Sequence, residues 1–272
     1  MDKKYIQIEI TGINESASAI AIAELSQVGF DGFLEEVNSL KAYSKEGAFD
    51  QPELNIIMNK LGLRYSLSVL DDQNWNKIWE SNFSPVVVDD FVGIRAAFHP
   101  PVKGMEYELV ITPKMSFGTG HHATTYTVIQ LMRELDFKGK RVFDFGTGTG
   151  ILAILAEKMG ASSVLAVDND AWCIENSREN TSINACKIVY IQQVDSIDSA
   201  WDFDIVVANI NRHIIEVNLS SLPAILRDGG SLILSGLLQS DEKDMLAACD
   251  LLGFTHQKTL QKDGWIAIYL TK

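Results

Sequence analysis

From Arg141 to the C-terminal lysine, short apolar runs of strand length alternate with stretches of helix length, and few folds accept that order. Strands are expected at Val142–Phe145, Val164–Asp168, Ile188–Gln192, Ile205–Asn209 and Ser231–Leu234, with helices at Ile151–Met159 and near 171–184, 212–226 and 241–252. Continuous apolar strands flanked by helices imply a parallel sheet covered on both faces, so the fold class is α/β. The chain end departs from that pattern. Lys258–Gln261, then Asp263-Gly264, then Trp265–Leu270 predicts an antiparallel hairpin closing the sheet.

The first seventy residues follow a different grammar. Ile6, Ile8 and Ile10 alternate with polar residues, as a half-buried strand requires. Residues 15–28 place Ala19, Ile20, Ala23 and Val28 near one helical face, stopped by Gly29. Short strands are expected at Gly32–Glu36 and Leu40–Ser44. Asp50 with Glu53 starts a second helix, which carries Leu54, Ile57, Met58 and Leu61 up to Gly62. Tyr65, Leu67 and Val69 alternate as a last strand. The order β-α-β-β-α-β is that of a small ferredoxin-like unit, which argues for docking and says nothing of chemistry. Trp75, Ile78 and Trp79 then stripe one face of a short connector helix ending before Pro85, and strands are expected around Val92–Ala96 and Tyr107–Thr112.

A formal charge of −13 disfavours binding to phosphate backbones, which need Lys and Arg to release counterions. The same surface would attract a lysine-rich protein, although many acidic proteins are so only for solubility. Cys173, Cys186 and Cys249 form no CxxC pair or zinc spacing, as suits a reducing compartment. No signal peptide or membrane-length apolar run is evident, so the protein is expected in the cytoplasm.

The strongest chemical signal is Asp144-Phe145-Gly146-Thr147-Gly148-Thr149-Gly150 between a strand and a helix. Glycines there permit a tight turn and let backbone approach a ligand. The dinucleotide fingerprint would put its third glycine at position 151, which is Ile151. Asp168 ends the next strand, where a carboxylate can accept from both hydroxyls of a ribose or simply start a turn. A second glycine cluster, Ser116-Phe117-Gly118-Thr119-Gly120-His121-His122-Ala123-Thr124-Thr125, precedes another helix that Thr124 or Thr125 can cap. Adjacent histidines seldom ligate one ion and no third ligand is evident, so no metal is expected.

Taken together, F-G-T-G-x-H-x-T-T, then D-F-G-x-G-x-G-I-L-A-I, then Ala208-Asn209-Ile210 closely resemble the ribosomal protein lysine methyltransferases acting on protein eleven of the large subunit. The likeness is dense over roughly 75–270. It implies a class I methyltransferase sheet, Rossmann-like, over residues 85–272, a helical linker at 72–84 and a substrate-recognition domain at 1–71. It implies S-adenosylmethionine as cofactor. Thr125, Gly146, Gly148, Asp168 and Asn209 stand at cofactor positions, with Phe117, Gly118 and Thr119 in the loop that closes over its methionine end. Two departures stand out: Ala123 replaces a usual proline, and Asn211-Arg212-His213 replaces small or apolar residues on the substrate side.

The implied reaction is in-line attack of a neutral amine on a methyl carbon. Freeing a lysine amine at pH 7 costs roughly 4–5 kcal/mol. Partial burial and a nearby cation lower that cost, so no dedicated base is assigned, and His122, His213 and Asp144 stay unassigned. Asp195 is a candidate for the adenine amino group. The expected acceptors are lysine side chains or N-terminal amines of ribosomal protein eleven, free or on the ribosome. The alternatives are a methyltransferase of another protein, RNA or a small molecule, a nicotinamide-dependent oxidoreductase, and a non-catalytic ribosome-binding module. Ile151 and the terminal hairpin weigh against the oxidoreductase. The acidic surface and the lack of an N-P-P-[YF] motif weigh against RNA.

Overall fold

A computed structural model describes residues 5–13, 15–30, 32–36, 38–45, 47–70, 84–112, 118–194, 196–197 and 202–272. The chain divides into two compact units, 1–83 and 84–272. The connector helix expected around Trp75, Ile78 and Trp79 lies outside the described residues.

The first unit runs β1 (Tyr5–Thr11), α1 (Glu15–Gln27), β2 (Gly32–Glu36), β3 (Ser39–Lys45), α2 (Gln51–Leu61) and β4 (Tyr65–Leu70). Its antiparallel sheet has the order β2-β3-β1-β4. Ile8 and Ile10 point from the central β1 into a core with Leu25, Leu40, Leu54 and Met58. The Asp50 side chain caps α2 by accepting from the Glu53 amide, and Gly62 ends it at φ +65. In α1 the buried line is Ser18, Ala21, Leu25 and Val28, and Ile20 stands 54% exposed. The expected face was thus rotated: a helix with alanine and isoleucine on several sides offers no single apolar stripe, and packing chose the one holding Leu25. The side chains of Ala19 and Ala23 are outside the described ones. Leu67 and Val69 lie opposite Ile8 and Ile6, on the core face, yet are half-exposed because β4 is an edge strand.

The second unit opens with a small sheet of β5 (Val86–Val88), β6 (Val92–Arg95) and β7 (Tyr107–Val110). Then come α3 (Ala123–Arg133), β8 (Arg141–Phe145), α4 (Ile151–Lys158), β9 (Ser163–Asp168), α5 (Ala171–Ile183), β10 (Val189–Gln193) and β11 (Phe203–Asn209). The chain ends with α6 (Arg212–Asn218), α7 (Leu222–Ile225), β12 (Leu226–Leu238), α8 (Glu242–Leu251), β13 (Thr255–Lys262) and β14 (Trp265–Thr271). The main sheet has the order β10-β9-β8-β11-β12-β14-β13, parallel except for β14. One core joins α3, α4 and the small sheet to one face, and a second joins α6, α7 and α8 to the other.

Two expectations for this unit needed adjustment. The helix expected over 212–226 is broken by a 3-10 turn at Leu219–Ser221. Pro223, which lacks the amide a continuing helix would use, sits in the first turn of α7. Strand β12 extends well beyond Ser231–Leu234, and Gly229 and Gly230 near its start exchange hydrogen bonds with Lys272. Strand β5, three valines after a proline, was not foreseen.

Candidate functional site

Strand order reverses between β8 and β11, so the chain leaves their carboxyl ends in opposite directions and opens a crevice there. A cavity of about 440 Å3 occupies that position. Phe145, Gly146, Gly148 and Asp168 line it from one side, and Asn209, Ile210, Asn211 and Ile214 from the other.

The glycine-turn wall is nearly all backbone. The Gly146 and Thr147 amides both donate to the Val167 carbonyl, which folds the turn back over β9. Gly146 has φ +75, and a Cβ there would stand 2.0 Å from Ile210 Cγ2, so no side chain fits between turn and neighbour. Gly150 at φ +83 starts α4 and leaves Ile151 buried in the core rather than at the ligand surface. Asp168 reconciles the two readings of its motif. Its Oδ2 accepts from the Gly148 amide at 2.9 Å and its Oδ1 from the Asp170 amide at 3.0 Å. Each oxygen keeps a further lone pair, and the half-buried carboxylate lines the cavity.

Asp144 lies behind this turn, 1% exposed, and accepts from the Thr147 hydroxyl at 2.6 Å. Burial pushes its carboxyl up to about 7; the Thr147 hydroxyl pulls the other way, and the Asp168 charge adds to the rise. Its Oδ1 has no hydrogen-bond partner. Asp144 does not line the cavity, nor does His213.

The second glycine cluster docks onto the first. The Thr149 hydroxyl donates to the Gly118 carbonyl at 2.6 Å, and Cβ atoms on Gly118 and Gly120 would collide with Thr149 and Ile94. Thr119 Oγ1 lies 3.3 Å from His121 Nδ1, while His121 Nε2 lies 2.9 Å from the Ser84 carbonyl. The N-cap of α3 is His122, whose Nδ1 accepts from the Thr124 amide, and not Thr124 or Thr125 as expected. An imidazole nitrogen takes the acceptor role more often filled by a hydroxyl, and both threonines are buried in the first turn. Thr125 sits behind the cavity surface, with the Asn209 amide 3.5 Å from its hydroxyl, while Thr124 lines the surface. Among the described residues no cluster of His, Cys, Asp or Glu could hold a metal. Phe117 and Asp195 lie outside the described residues.

Several functional neighbours were not foreseen. Asn180, fully buried on α5, donates to the Thr149 carbonyl at 2.8 Å and accepts from the Thr112 amide at 2.8 Å. Asn184 takes both the amide and carbonyl of Val110, so α5 braces the edge strand β7 and the glycine turn together. The available signal was a helix whose buried face is polar: Asn176, Ser177, Asn180 and Thr181. Trp265 lines the cavity because β14 runs against the other strands, which puts its first residue at their carboxyl ends. Its ring meets that of His122 edge-on, with centroids 4.9 Å apart.

Comparison with known proteins gives a consistent picture. The family model described as ribosomal protein L11 methyltransferase (PrmA) matches residues 10–272. The ribosomal protein L11 methyltransferase of Porphyromonas gingivalis is 39% identical over 94% of this chain and 91% of its own. That of Phocaeicola vulgatus is 34% identical over 97% and 98%. A solved ribosomal protein L11 methylase from Lactobacillus delbrueckii subsp. bulgaricus aligns with a TM-score of 0.65 at 26% identity, covering 70% of this chain and 99% of that one.

Proposed function

The chain belongs to the ribosomal protein L11 methyltransferase family, and from that premise we propose how its cavity serves the reaction. It is an S-adenosylmethionine-dependent protein methyltransferase acting on ribosomal protein L11. The observation that carries the reading is the convergence, in one cavity at the strand reversal, of a side-chain-free turn, a carboxylate and an amide.

S-adenosylmethionine fits the residues present. A nucleoside needs a backbone surface without Cβ atoms, which Gly146 and Gly148 provide, and an acceptor for two ribose hydroxyls, which Asp168 offers with its remaining lone pairs. Gly118 and Thr119, with Phe117 beside them in sequence, close the methionine end, and Thr125 holds the Asn209 amide toward it. When bound, the cofactor supplies a methyl group activated by a cationic sulfur. The chain itself aligns the amine with that methyl group, and alignment is worth several kcal/mol of barrier. No side chain is assigned as general base. His122 Nδ1 is engaged at the α3 cap, and Asp144 is walled off by the turn. Burial of the acceptor against Trp265 and α6 disfavours its charged form, and solvent takes the proton.

The acceptors are lysine side chains or the N-terminal amine of L11, taken free or on the ribosome without contact to nucleic acid. The unit spanning 1–71 recruits L11, residues 72–84 link it to the catalytic domain at 85–272, and the reaction takes place in the cytoplasm. No helix among the described residues is long and apolar enough to cross a membrane. The test pairs calorimetry with S-adenosylmethionine and transfer of its labelled methyl group to purified L11. Heat on titration and label on L11 are expected. A chain lacking residues 1–70 should keep the heat and lose the transfer; undiminished transfer would remove the recruiting role.

A further inference from the structure

The stretch after β11 reads Asn211-Arg212-His213, and its first residue lines the cavity. Ile210 is clasped between two glycines at positive φ. Its Cγ2 fills the space a Gly146 Cβ would need, and its carbonyl lies where a Gly236 Cβ would stand. Clasped in this way, Ile210 fixes Asn209 before it and Asn211 after it, and both line the cavity. Asn211 occupies the N-cap position of α6, yet its side chain makes no capping bond and is exposed. The next cavity-lining residues of α6 are Ile214 and then Val217 and Asn218, three and four positions beyond it and so on one helical face. Ile214 and Val217 are 40% and 64% exposed, while Ile215 and Leu219 are buried in the core.

Arg212 ties this helix down. It meets Glu216 and Asp241 at 2.6 Å each and reaches Asp244 at 3.7 Å. Asp241 in turn accepts from the Leu238 amide at 2.8 Å, at the end of β12. Although partial burial pushes the Asp241 carboxyl up, the Leu238 amide and the Arg212 guanidinium together hold it below the ordinary carboxylate value. The helix is only seven residues long and follows no cap bond, so this clamp adds to the buried Ile215 in fixing its position.

We infer that the Asn211–Ile214–Val217–Asn218 face of α6 is the acceptor-selecting wall, with Arg212 as its positioning residue. The inference deepens the proposed function and rests on it. The occupant it fits is an unbranched aliphatic side chain ending in an amine. Ile214 and Val217 cover the methylenes, and the Asn211 amide oxygen accepts one amine N–H. An amide orients the amine without adding charge, whereas a carboxylate there would favour the protonated form, which cannot attack. The cavity's carboxylates, Asp168 and Asp170, belong to the glycine-turn wall. The ends of β9 and β11 are two strand spacings apart, about 10 Å, so those charges stay away from the amine.

The test uses the full-length protein, purified L11 as acceptor, and two separate readouts: the cofactor Kd by calorimetry and the KM and kcat for L11. Asn211→Ala should raise the KM for L11 about tenfold, the loss of one hydrogen bond, with the cofactor Kd within about twofold of the parent. Asn211→Asp should lower kcat at pH 7 more than it raises KM. Val217→Asp should raise KM without changing the cofactor Kd. Arg212→Ala should raise KM likewise, and Arg212→Lys should recover part of the loss. If Asn211→Ala and Val217→Asp both leave KM and kcat within about twofold of the parent, or if the cofactor Kd weakens as much as KM rises, the acceptor wall lies elsewhere. Failure of the underlying reading would look different: the parent itself would give no heat with S-adenosylmethionine and no transfer to L11.

Discussion

The glycine-turn wall and the α6 wall face one cavity, yet they are held by different forces. The first is made of backbone whose shape follows from sterics: positive φ at Gly146, Gly148 and Gly150, and amides committed to Val167 and Asp168. The second is made of side chains on a short helix, placed by ion pairs of Arg212 that are partly open to solvent. A wall of the first kind admits almost no substitution and serves a ligand that never changes. A wall of the second kind can be altered residue by residue, which suits the acceptor side we propose for it. Substitutions should therefore separate the walls by both size and type of effect.

The largest effect is expected at Gly146→Ala. A left-handed φ costs a residue with a Cβ about 1–2 kcal/mol, and displacing Ile210 costs a further 1–3 kcal/mol or more. Together these amount to roughly a thousandfold in cofactor affinity if the strain is relieved by opening the turn. Calorimetry with S-adenosylmethionine measures it, and near-parent affinity would show that the turn is more pliable than the α6 wall.

A second contrast concerns pH. Burial pushes the Asp144 carboxyl up to about 7, above the ordinary 3.8 it has in the unfolded chain. Between those values the folded state holds a proton that the unfolded state has lost. Its stability contribution is complete below about pH 4 and is lost as pH rises through about 7, at most about 4 kcal/mol in all. Asp241 on the other wall has the opposite sign. Its carboxyl is held below 3.8, so its contribution is present above that value and lost as pH falls through the lowered one. Urea denaturation from about pH 2 to pH 8 should show Asp144→Asn flattening the loss between about pH 4 and 7, whereas Asp241→Asn should flatten the loss below about pH 4. An unchanged profile in Asp144→Asn would place its ionisation outside this range.

Asp168→Ala ranks next. It removes the proposed ribose acceptor and leaves the Gly148 and Asp170 amides without their partner. Charge-assisted hydrogen bonds contribute about 1.5–3 kcal/mol, so cofactor affinity should fall about 10- to 100-fold. The KM for L11, measured at saturating cofactor, should stay within about twofold, in contrast to the Asn211 variants.

The two walls also differ in how far the sequence disclosed them. Glycines at fixed offsets after an apolar run, with an aspartate ending the next strand, specify a backbone shape, and backbone shape follows from local sterics. The place of Gly146, Gly148 and Asp168 at the cavity was therefore legible, as were the parallel sheet and its terminal hairpin, whereas Asn209 was singled out only through the family resemblance. The capping of α3 by His122 was not legible, because a histidine and two threonines are all candidates for the N-cap position and only packing decides. The contribution of Trp265 depends on the antiparallel direction of β14, and Asn180 acts across a gap of dozens of residues. The Arg212–Asp241 pair joins positions equally remote, and nothing local in R-H-I-I-E-V-N announces that its arginine holds a wall. Long-range side-chain pairing is invisible to periodicity.

Glu216→Gln is the smallest expected change and asks the most of the comparison. Glu216 and Arg212 are one helical turn apart, both around two-fifths exposed, and their 2.6 Å contact is as short as that to Asp241. Distance alone would rank the two partners equal. Exposure ranks them apart: water screens Glu216, whereas the Asp241 side chain is 13% exposed and is also tied to the Leu238 amide. Exposed pairs at this helical spacing contribute about 0.3–0.5 kcal/mol. Glu216→Gln should therefore move the unfolding midpoint and the KM for L11 almost imperceptibly, while Asp241→Asn raises that KM severalfold. Glu216 lies on α6 itself, whereas Asp241 makes the shorter of the two Arg212 contacts, with Asp241 and Asp244, that anchor α6 to another element. Equal effects of the two substitutions would mean that α6 is held by its own helical pairing, and the wall would then owe its position to local structure after all.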